Sequence, residues 1–186
     1  MAYAAEQATQ FRSRWPIRKP AMICWRTIRL VRREDWRMEL RSVEELMDLL
    51  NACRGAWAAP PLGGGRVDLH QHALRTAALL RRTRPADKEL QVAGLVQAIG
   101  PLLRPGDEAA QADCAADAVR VLLGERVFAL VRGHATGDAA TDDDLLRLRQ
   151  ADEEGWFSGF DAGVLEDWRT VLELVAARNS RLGAVD

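Results

Sequence analysis

The sequence predicts an all-α domain of about seven helices. Three observations carry that reading. Apolar residues recur at three- and four-residue spacing in one segment after another, no stretch alternates apolar with polar residues as a half-buried strand does, and most segments begin and end on recognisable capping residues. A chain of 186 residues, 48% hydrophobic and 28% charged, is long enough to bury one sizeable core.

Each element follows in order. Ser42-Val43-Glu44-Glu45 is a capping box, and Val43, Leu46, Met47, Leu50 and Cys53 form the one-sided stripe of the first helix. After the loop GAWAAPPLGGGRV, Asp68 and Gln71 form a second capping pair for a helix reaching about Arg82, with Leu69, Ala73, Ala77 and Leu80 on one face. Pro85 stands at the start of a third helix that runs to Ile99, with Gly100 as its C-terminal cap. A fourth spans roughly Glu108 to Leu123 and stops at Gly124. The segment ERVFALVRGH is a short helix reaching His134, Thr141 caps DDDLLRLRQADEE, and the last helix starts near Val164 and carries Trp168, Val171, Leu172 and Val175. No internal repeat is visible.

Residues 1–37 have a different texture. Trp15, Trp25 and Trp36 lie among scattered arginines, and the apolar residues keep neither a helical nor a strand period. The division expected is therefore a basic, poorly ordered extension over 1–41 and a helical domain over 42–186. The segment VRREDWR before Met38 is compatible with a purine-rich ribosome-binding sequence, so the expectation is that translation begins at Met38 in a high-GC bacterial gene; the competing reading is a basic arm that binds a partner.

The net charge of −1 and sequence pI of about 6.3 give no global attraction to nucleic acid or anionic membranes. No run approaches the roughly 18 apolar residues of a spanning helix, and the N-terminus lacks a signal-like apolar core, so a cytoplasmic protein is expected. Cys24, Cys53 and Cys114 are odd in number and far apart, which reads as reduced thiols serving as small apolar residues.

Among the polar residues, His72 lies in the first turns of the second helix beside His70, His134 ends a helix, and Asp152 lies in LRLRQADEE. Taken singly, each suits a cap or an exposed helix end. Their order says more. HQHALRTAALL, LVQAIGPLL, LGERVFALVRGH, LRLRQADEE and GVLEDWRTVLE, in that sequence over about Ser42 to Ala177, resemble the HD-domain superfamily. The likeness is to its small members related to the phosphonate-cleaving diiron oxygenases and to myo-inositol oxygenase.

The resemblance implies an HD-domain-like bundle with ligand positions at His72, His134 and Asp152. It also places the family's His-Asp pair on Gln97 and Ala98, a further His on Gln111, and the His that commonly follows the glycine on Pro101. Alanine offers no lone pair, and neutral amide oxygens are poor donors to iron, so no metal centre is expected, although a single Fe or Zn on His72, His134 and Asp152 is the residual possibility. The former metal pocket would then be lined by Gln97, Ala98 and Gln111 beside His72, His134 and Asp152.

Three functions are compatible with that pocket. One is a protein that binds a small polar or anionic metabolite, or a partner protein. A second is a metal-independent isomerase, cyclase or hydrolase using His72, His134 and Asp152 as catalytic residues. The third is a metal-dependent phosphohydrolase or oxygenase of the HD type with a reduced site. Specificity is expected on the loops GAWAAPPLGGGR, RGHATGDAAT and GWFSGFDAG, where Trp156, Phe157 and Phe160 either cover a ligand or pack the rim.

Overall fold

The computed structural model describes residues 38–60, 63–136 and 142–182. The expectations for 1–37, including those about the three tryptophans there, and that for Thr141 as a cap lie outside the described residues. All described residues belong to the compact unit Met38–Asp186.

The protein is an all-α helical bundle. Among the described residues seven helices have nine residues or more: α1 Val43–Ala52, α2 Leu69–Thr83, α3 Lys88–Val96, α5 Glu108–Leu123, α6 Glu125–Thr136, α7 Asp143–Phe157 and α8 Arg169–Leu182. The one-turn α4, Gly100–Leu103, follows a 3₁₀ turn over Gln97–Ile99, and a second 3₁₀ turn, Leu165–Trp168, leads into α8.

The caps explain where the helices begin. Ser42 Oγ accepts from Glu45 N at 3.2 Å while Glu45 Oε2 accepts from Ser42 N at 3.3 Å, the reciprocal box read from the sequence. Asp68 and Asp87 each accept from the backbone N–H three residues on. The packed region reaches back before Ser42: Leu40 is buried, and its N–H donates to Ala118 O at 2.8 Å.

α3 lies at the centre, packed against α2, α6, α7 and α8. From Leu90 to Val96 every residue is buried, including Gln91. A helix enclosed on all sides has no polar face to spare, and Gln91 satisfies the constraint by donating its amide to Arg84 O and Pro85 O at 2.7 and 3.2 Å. Its neighbours approach closely where Gly94 removes a side chain: a Cβ there would lie 2.5 Å from Leu80 Cδ1.

Two sequence expectations are corrected. The first loop contains a short antiparallel ladder, Trp57 opposite Asp68 and Ala58 opposite Val67, which is too brief to leave an alternating pattern. Gly100 does not cap a helix. Its φ of −52° and ψ of −51° are helical, and the chain coils on to Leu103. The reason for glycine is packing, since a Cβ would sit 2.7 Å from Gln111 O on α5. The N-cap of α7 is Asp142, whose carboxylate accepts from Asp144 N and Leu145 N at 2.9 and 3.4 Å.

Candidate functional site

Four elements bring their polar residues together. His72 comes from the first turn of α2, Gln97 from the 3₁₀ turn after α3, His134 from the end of α6 and Asp152 from the third turn of α7. α2 packs on α7 and α6 on α7, so residues 80 positions apart in sequence meet at one carboxylate.

Asp152 is the node. Its Oδ1 accepts from His72 Nε2 at 2.8 Å and from Gln97 Nε2 at 2.5 Å, and its Oδ2 faces His134 Nε2 at 3.5 Å. Burial opposes ionisation of Asp152, but the donors on His134 and His72, together with their charge, outweigh it and hold the carboxyl well below the usual carboxylate range. An ionised carboxylate requires protons on both facing ring nitrogens. For the same reason Gln97 presents its NH₂, because its oxygen would repel Asp152.

The arrangement leaves other atoms unpaired. His72 Nδ1, Thr76 Oγ1 and Gln97 Oε1 are buried without a hydrogen-bond partner. His72 and Thr76 lie one turn apart on α2, and both face Gly155 of α7: a Cβ at that glycine would stand 2.7 Å from Thr76 Oγ1 and 3.3 Å from His72 Nδ1. Trp156, the next residue, stacks on the His72 ring with centroids 3.9 Å apart and planes inclined by 23°. The His72 side chain is accordingly 3% exposed, whereas that of His134 is 21% exposed and forms the open edge of the cluster.

The remaining sequence candidates divide. Ala98 is buried beside Gln97, and its carbonyl accepts from Cys53 Sγ at 3.6 Å; burial pushes the Cys53 thiol up to about 12, which suits an inert residue. Gln111 is engaged elsewhere, donating to Arg104 O at 3.2 Å and so closing the end of α4. His70 is structural, with Nδ1 against Leu50 O at 3.0 Å and Nε2 near Arg54. Of the three aromatics, Trp156 covers His72, Phe157 is exposed and Phe160 lies under Arg82.

Thr76 and Gly155 escaped the sequence reading. A glycine inside a helix costs about 1 kcal/mol relative to alanine, and that cost is the available signal that something approaches closely there.

Of the positions that the resemblance assigns to metal ligands, Ala98 has no ligating atom, and the Asp152 carboxylate is engaged with His72 Nε2 and Gln97 Nε2. Among the described residues no group of three or more His, Cys, Asp or Glu side chains is disposed to hold one. No helix of the described residues is long and apolar enough to cross a membrane. No protein-family model matches the chain, and no curated protein matches it in sequence.

Proposed function

We propose that this is an HD-domain-like protein whose former metal site has become a pocket for a small polar metabolite. The observation that carries the reading is the set of buried, unpartnered atoms beside Asp152: His72 Nδ1, Thr76 Oγ1 and Gln97 Oε1. Gln97 Oε1 is an acceptor, the Thr76 hydroxyl can donate or accept, and His72 Nδ1 accepts in the neutral imidazole. Leaving such a group unsatisfied costs about 1–3 kcal/mol, and a ligand rich in O–H or N–H donors would recover that cost.

The same chemistry narrows the ligand. A second anion would meet the Asp152 carboxylate, so a neutral polyol or amide suits the cluster better than the anionic metabolite the sequence leaves open. Entry is expected at His134. The loss of the His-Asp pair at Gln97 and Ala98 argues against oxygen-consuming or metal-dependent hydrolytic chemistry.

Thermal shift with neutral polyols and amides, beside anions of matched size, tests this. Stabilisation by the neutral donors, lost in Gln97→Leu, is the expected result. Stabilisation by anions alone, or two iron atoms per chain in protein purified aerobically without chelator, would overturn it.

A second reading rests on His134. Its ring is partly exposed while Nε2 faces Asp152, so the carboxylate can orient the imidazole and Nδ1 can exchange a proton with a substrate. In that metal-independent enzyme His134→Gln would abolish turnover yet keep ligand affinity, whereas in a pure binding protein no turnover exists to lose.

A further inference from the structure

A separate cavity of about 290 Å³ opens between the C-terminal half of α2 and the loop after α7, lined by Arg81, Arg82, Phe160 and Asp161 over Ala78. Arg81 and His72 are nine residues apart on one helix, which puts this cavity about 14 Å along α2 from the polar cluster.

Each of the two arginines lies over an aromatic ring. The Arg81 guanidinium lies 4.8 Å from the Trp168 ring centroid, and that of Arg82 lies 5.5 Å from Phe160. A guanidinium stacked on a ring keeps its in-plane N–H fork free for an oxyanion. Among the described residues neither is ion-paired to a carboxylate, in contrast to Arg84, Arg126, Arg132 and Arg169. Trp168, which carries Arg81, also has a buried indole N–H without an acceptor.

We propose that the cavity is an oxyanion site for a small phosphorylated or carboxylated molecule. Arg81 and Arg82 grip the oxyanion. Asp161 shapes the rest of the ligand: its Oδ1 accepts from Gly163 N at 2.9 Å, and its other oxygen repels a second negative group while accepting from a hydroxyl or ammonium. A compound with one anionic head and a neighbouring hydroxyl or amine fits both requirements.

Calorimetric titration of the full chain with inorganic phosphate and with succinate, at constant ionic strength, tests the site and tells phosphoryl from carboxylate recognition. Saturable binding of one of them is expected, weakened at least tenfold by Arg81→Gln and Arg82→Gln and unchanged by Arg178→Gln on the exposed side of α8. Should a glutamine variant fail to fold, Arg82→Lys, which keeps the charge and loses the fork, should still weaken binding. No saturable heat from either anion, or equal weakening by Arg178→Gln, would overturn the proposal.

Discussion

Two hubs tie α6 to α7, one inside the bundle and one on its surface. Inside, Asp152 of α7 gathers His72, Gln97 and His134. Outside, Arg126 of α6 binds Asp87 through both of its terminal nitrogens at 2.7 and 2.6 Å, Glu89 at 2.8 Å and Asp144 at 2.9 Å, linking α6 to the start of α3 and of α7. Counted by contacts the surface hub is the richer. Its guanidinium side chain, however, is 40% exposed against 17% for Asp152. Water can replace partners at the first and cannot easily do so at the second, so geometry and energetic weight part company.

Removing each node breaks the comparison most directly. Asp152→Ala strands two imidazoles and an amide, and unfolding by denaturant at neutral pH should show a loss of about 3 kcal/mol. Gly155→Ala leaves the node intact but drives a Cβ against Thr76 and His72; after the gain in helix propensity, a net loss of about 1–2 kcal/mol is expected. Gly159→Ala, which would meet nothing within 4 Å, is the matched control and should be near neutral. Arg126→Met keeps most of the side-chain stem and should cost about 1 kcal/mol or less. That cost should shrink further in 1 M NaCl, whereas the loss in Asp152→Ala should persist. If salt removed both losses alike, the distinction between the hubs would fail.

Acid sharpens the contrast. Hydrogen bonding to Arg126 lowers Asp87, and the imidazole donors lower Asp152 against its burial. A carboxylate whose folded value is depressed contributes stability above its unfolded value, here 3.8, and loses it as pH falls through the folded value. The stability gap between the wild type and Asp152→Asn should therefore narrow as pH is lowered from about 5 to about 2. A gap constant over that range would show that the Asp152 carboxylate does not favour the folded state.

Legibility in the sequence followed the range of the interactions. The capping box at Ser42 is written within four residues, and it folds as read. The meeting of His72, His134 and Asp152 was expected from the order of motifs, because no local pattern announces a contact between residues 80 positions apart. Gly100 was misread since a helix-ending glycine and a glycine admitting a neighbouring helix look alike in one dimension; only the 2.7 Å approach to Gln111 O separates them. Gln111 itself was assigned to the pocket by analogy, while its amide serves the nearer Arg104 carbonyl. Trp156 stacking on His72 depends on the rotation of α7 about its axis, which spacing alone leaves open.

The reach of the Asp152 hub along the chain also bears on when it forms. Its bonds to His72 and Gln97 close loops of 80 and 55 residues, whereas Arg126 reaches Asp144 across 18. Closing the longer loops costs more chain entropy and brings no reward until α2, α3 and α7 have already docked. The hub then acts as a latch set after the folding barrier rather than as part of the nucleus. Loss of Asp152 should leave the refolding rate nearly unchanged and appear almost wholly as faster unfolding.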